Sequence, residues 1–125
     1  MNLNKCFILG RLTADPQLRS TPSGQQVASF SLATNRKYTD KRGKVCEEAE
    51  FHNIVVWGRE AEIAGKFLKK SSICLVEGSL QTRHWQDKQG NPRKTTEIVC
   101  EKLQLGPRSS GEENSIAESP ELKDN

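Results

Sequence analysis

Long apolar runs are missing from this 125-residue chain. Nothing in it approaches the roughly 18 residues that a membrane-spanning helix requires, so no membrane association is expected. Apolar residues make up 34% of the sequence, below the usual share in a chain that is globular throughout, so part of it is expected to remain unfolded. The first residues, MNLNKCFILGRL, carry no charged leader, apolar core and small-residue cleavage site in succession, and a cytoplasmic location is the expectation. Histidine is scarce, at two residues, and the four cysteines are 40, 28 and 26 residues apart with no C-x-x-C pair. Neither a metal-ligand spacing nor a nucleophile–base pair is present, so no metal, no cofactor and no enzymatic activity are expected. Cys6, Cys74 and Cys100 sit inside apolar runs and read as small hydrophobes.

Charge is present and uneven. Residues 1–108 hold 18 Lys and Arg against 11 Asp and Glu, a net +7, whereas residues 109–125 are net −4. A basic body with an acidic tail suits a polyanionic partner, and the tail could fold back and compete for it. The tail is rich in Ser, Glu and Asn with few large apolar side chains, too little to offset the entropy of ordering. Two regions follow: a folded domain over 1–108 and a disordered acidic tail over 109–125.

Within the body, apolar runs and alternations predict strands at 3–12, 27–37, 46–57, 72–86 and 93–105. The segment TADPQLRSTPSGQQ between the first two reads as turn. YTDKRGKV and DKQGNP read as hairpin tips, and Gly78 as a bulge or bend. Residues 59–70 switch to helical period, with Ala61, Ala64 and Leu68 on one stripe and Ile63 and Phe67 beside it. The order is all-β with a single helix between strands three and four. That is the order of an OB-fold, a five-stranded partly open barrel, although other small β-rich folds share it.

The seven aromatics divide into two groups. Phe7, Phe30 and Phe67 have apolar or alternating neighbours and are expected in the core. Tyr38, Phe51, Trp57 and Trp85 are flanked by charge, and Phe51, Asn53, Val55 and Trp57 share one side of their strand by alternation. A Trp in a strand is most often packing, but four aromatics in charged surroundings fit another role. Arg83 shares a strand side with Trp85. Aromatic faces for stacking, with cations for phosphate, are what a single nucleic-acid strand needs.

The stretches NKCFILGRLTADPQLRSTPSG, ASFSLATNRKYTDKRG, EFHNIVVWGREAEIAGKFLKK and VEGSLQTRHWQDKQG resemble the bacterial single-stranded DNA-binding proteins, nearly without a gap over residues 1–106. The resemblance implies an OB-fold that assembles as a homotetramer, is nucleoid-associated, and coats single-stranded DNA during replication, recombination and repair. It implies stacking on Tyr38, Phe51, Trp57 and Trp85, basic contacts from Arg59, Lys70 and Arg83, and a subunit-interface position for His52. The ending ESPELKDN departs from the family's acidic tip closed by Pro-Phe. Recruitment of replication and repair proteins through the tail is therefore not carried over. A competing reading is an OB-fold assembly module with weak nucleic-acid affinity.

Overall fold

The computed structural model describes residues 1–107. The tail expected over 109–125 lies outside the described residues, as does Arg108. Six strands and one helix follow in order: β1 (Cys6–Leu12), β2 (Gln17–Ser20), β3 (Gln26–Thr39), β4 (Val45–Trp57), α1 (Arg59–Phe67), β5 (Ile73–Gln86) and β6 (Pro92–Leu105). The five long strands form one closed circuit, β1-β5-β6-β4-β3, with β3 returning to β1. The return is narrow, resting on Arg11 opposite Ala33 and Leu12 opposite Leu32. The helix follows the third of these long strands, the position expected for an OB-fold.

Closing the sheet turns one side of every strand inward. Leu12, Ala28, Phe30, Leu32, Ile54, Val56, Cys74, Val76, Ile98 and Cys100 meet in one cluster, and the helix plugs it with Ala61 and Ala64, joined by Leu68 just past its end. Each fully buried Val or Leu side chain in such a core contributes about 1.5–3 kcal/mol. All four cysteines are free, with Cys74 and Cys100 buried.

Close approach dictates glycine at two places on β1 and β5. A Cβ at Gly10 would lie 2.7 Å from the Ala33 carbonyl oxygen, where β1 meets β3. At Gly78 it would overlap the Val99 carbonyl, and the β5–β6 register shifts between Glu77 and Gly78, the irregularity expected there.

Four details differ from the sequence reading. A short strand, β2, occupies part of the expected turn region, pairing Gln17 through Ser20 with Ser29 through Gln26. Its four residues are all exposed, so no buried alternation marks it in the sequence. The helix stops at Phe67, because Leu68 is already extended and donates its N–H back to Ala64. Phe7 and Phe67, expected in the core, are exposed. On β1 the inward positions belong to Cys6 and Ile8, which leaves Phe7 outside. On α1 the buried line runs through Ala61 and Ala64 and on to Leu68 just past the helix, and Phe67 falls off it.

Candidate nucleic-acid interface

β3 and β4 pair over thirteen consecutive positions and continue as a hairpin arm past the barrel. The inward positions of β4 are taken by Ile54 and Val56, so Phe51, Asn53 and Trp57 emerge on the outer surface between charged neighbours. Phe51 is 62% exposed, Trp57 43%, Trp85 42% and Tyr38 37%. Rings this large are usually covered more fully, as Phe30 is at 8% exposure.

A groove of about 370 Å³ runs over this outer surface. Asn53 and Val55, the residues between Phe51 and Trp57, line it together with Ser29, Ser31, Arg19 and Arg83. Arg83 therefore stands beside the strand that carries Phe51 and Trp57. Its guanidinium is engaged: Nη2 lies 3.1 Å from Oε2 of Glu97, whose side chain is mostly buried in the same groove. Two residues along, the Trp85 indole N–H donates to Thr95 Oγ1 at 3.0 Å, which holds the ring against β6 with its face open. The neighbouring hairpin tip is tied down by Asp87. The backbone N–H groups of Asn91 and Gln89 and the Arg93 guanidinium hold its carboxyl below the usual range.

The other expected positions lie further out. Arg59 is the first helical residue, exposed one step past Trp57–Gly58. Tyr38 sits on the arm, where the register puts it on the side of Leu32 and His52 and opposite to Phe51. Arg36 stacks over its ring with Cζ 4.8 Å from the centroid, and Glu48, 2.7 Å away, holds the Arg36 guanidinium protonated more firmly than usual. Lys70 lines a separate groove at the end of the helix. His52 is half-buried, its Nε2 sharing a hydrogen bond of 2.9 Å with Thr34 Oγ1. Among the described residues no group of three or more His, Cys, Asp or Glu could cradle a metal ion, and no helix is long and apolar enough to cross a membrane.

Sequence reasoning left Arg19, Asn53 and Glu97 unassigned. Asn53 had a signal, since it shares the strand side of Phe51 and Trp57. Arg19 and Glu97 had none, because their places depend on β2 pairing with β3 and on β6 pairing with β4.

Comparison with known proteins gives one consistent picture. The model of the single-strand binding protein family matches residues 3–106. The single-stranded DNA-binding protein 1 of Chlorobaculum tepidum is 46% identical over 111 residues, covering 87% of this chain and 68% of its own. The single-stranded DNA-binding protein A of Bacillus subtilis is 46% identical over 110 residues, covering 87% and 63%. Among solved structures, the Plasmodium falciparum SSB in complex with ssDNA superposes with a TM-score of 0.78 at 32% identity, over 84% of this chain and 96% of that one. A deletion mutant of the Thermus aquaticus single-stranded DNA binding protein gives 0.75 at 31%, over 87% and 52%.

Proposed function

The chain belongs to the single-strand binding protein family, and from that premise we propose that it binds single-stranded DNA without reading its sequence. Bases stack on Phe51, Trp57 and Trp85, with Tyr38 contributing from the arm, and Arg59, Lys70 and Arg83 neutralise phosphates. The observation that carries this reading is the outward row of Phe51 and Trp57 bordering a groove that contains Arg83. Every base offers a π-face, so such a surface tolerates any sequence. No bond is made or broken in this account; the activity is binding and protection, serving replication, recombination and repair in the bacterial cytoplasm at the nucleoid.

The proposal includes assembly as a homotetramer. From Cys6 to Gly10 only one edge of β1 is paired, to β5, and Phe7 and Leu9 project from that strand into solvent with Leu80 exposed on β5. An unpaired edge with apolar side chains beside it is the kind of surface that a second copy covers. His52, half-buried under Thr34, belongs to the packing side of β4 and is assigned to subunit contacts.

Duplex DNA hides its base faces, so the test is competition between oligo-dT and a duplex of equal length. Single-strand binding that the duplex fails to displace supports the reading. Equal affinity for both refutes it and favours the assembly module. Trp57→Ala and Trp85→Ala are each expected to weaken single-strand binding by about 1–3 kcal/mol without changing the unfolding midpoint.

A further inference from the structure

Trp85 stands where the core no longer reaches. Every residue of β5 from Leu80 to Gln86 is exposed, so no buried neighbour on its own strand sets the rotamer of the ring. Across the ladder Trp85 lies opposite Arg93, and Arg83 opposite Thr95. Thr95 is therefore the diagonal neighbour of Trp85 on the same face, about 7–8 Å away at the backbone and within reach of an aromatic side chain. The indole N–H closes that distance, donating to Thr95 Oγ1 at 3.0 Å. It is the only donor the ring possesses. Thr95 is itself firmly held. On β6 Pro92, Arg93 and Lys94 are exposed, whereas Thr95 is half-buried, three residues short of the buried Ile98. The hairpin tip beyond is pinned by Asp87, whose Oδ1 accepts the N–H groups of Gln89 and Asn91 at 2.9 Å and whose Oδ2 accepts Arg93 Nε at 3.1 Å. Register at the Trp85–Thr95 pair is thus fixed from both ends.

We propose that Thr95 is a positioning residue for the Trp85 platform. Its hydroxyl holds the indole on the outer face of the β5–β6 arm before DNA arrives, so a base meets a ring already ordered. This role rests on the single-strand reading and deepens it, since β6 carries no proposed DNA contact of its own yet sets the angle of one. Ordering a mobile side chain during binding lowers affinity, and a contact already made in the free protein removes that cost. Thr95 is neutral, so it acts through the ring and adds no charge against phosphate. A hydroxyl that touched the DNA itself is the competing arrangement, and it would matter whether or not the ring carried an N–H.

The test compares full-length wild type with Thr95→Val and Thr95→Ser, each also in a Trp85→Phe background, by titration with oligo-dT. Valine keeps the branched shape and removes the acceptor, whereas serine keeps the acceptor. T95V should bind about three- to ten-fold more weakly, with the slope of log K against log salt unchanged. T95S should follow wild type. W85F keeps a ring but has no N–H to hold, so T95V should add no further loss there. In a Trp57→Phe background Trp85 is the only indole of the chain. There T95V should shift the emission of the free protein and lower its residual anisotropy, while T95S should do neither. T95V that binds as tightly as wild type, or loses as much with W85F as without it, overturns the positioning role and leaves the proposed function standing. Emission and anisotropy of Trp85 that ignore T95V overturn it too. Wild type that fails to bind any oligo-dT removes the function and the positioning role together.

Discussion

In the proposed interface the Arg83 guanidinium is already shared, through Nη2, with Glu97 3.1 Å away in the same groove. On the proposed function the carboxylate is a rival to DNA, since it shares the cation and would repel an incoming phosphate. Glu97→Gln removes the rival charge and keeps the side-chain shape. The expected result is tighter oligo-dT binding by several-fold, greatest at low salt where charge contacts weigh most. Weaker binding by E97Q in a salt-dependent titration would mean instead that Glu97 aims Arg83. At this scale the sequence was informative where chemistry is local. Phe51 and Trp57 could be put on one side of their strand from alternation, and Tyr38 and Trp85 separated from the core by charged neighbours. Phe7 misled because its neighbours in sequence are apolar, and Phe67 because helical period set it beside the apolar stripe, while both rings are exposed. Glu97 gave no signal, since its partner lies on another strand.

At the scale of elements, alternation made β3 and β4 legible and the change of period marked the helix, because each buries one side against the same core. β2 was not legible. Its strand character comes wholly from pairing with β3, in a segment whose own residues favour turns. The bend in β5 was legible in a single residue. Gly78 sits where any Cβ would overlap the Val99 carbonyl, at the register shift that turns the strand from the barrel toward its β6 hairpin. Gly78→Ala is expected to destabilise the fold by about 1–3 kcal/mol, or to prevent it from forming, as measured by urea unfolding. A wild-type midpoint would show that β6 can yield there without cost. Gly78 lies between the core and the Arg83–Trp85 arm, so a folded G78A protein should also bind oligo-dT less well.

For the whole molecule, core and surface make separate demands. Burial in the barrel pushes the Cys74 and Cys100 thiols up to about 12. In the unfolded chain they ionise near 8.5, so their contribution is intact below that pH and lost as pH rises toward the folded values. Urea stability should fall from about pH 8.5 upward, by as much as ~1.4 kcal/mol per pH unit for each thiol. Cys100→Ala should be less sensitive, and equal sensitivity in wild type and variant would assign the alkaline loss to other groups. A five-stranded barrel with its helix after the third long strand was legible from element order, whereas its closure through β1 and β3 and the shared edge of the two grooves at Asp15 were not. Both tryptophans of the chain are exposed, Trp57 two residues along β4 from Val55 and Trp85 two residues along β5 from Arg83, which both line the groove. The most direct measurement is a titration of intrinsic tryptophan fluorescence with oligo-dT at low and moderate salt, beside a duplex of the same length. Strong quenching by the single strand alone, weakening steeply with salt, is the predicted result. Emission that stays flat, or falls equally with the duplex, would contradict stacking on Trp57 and Trp85.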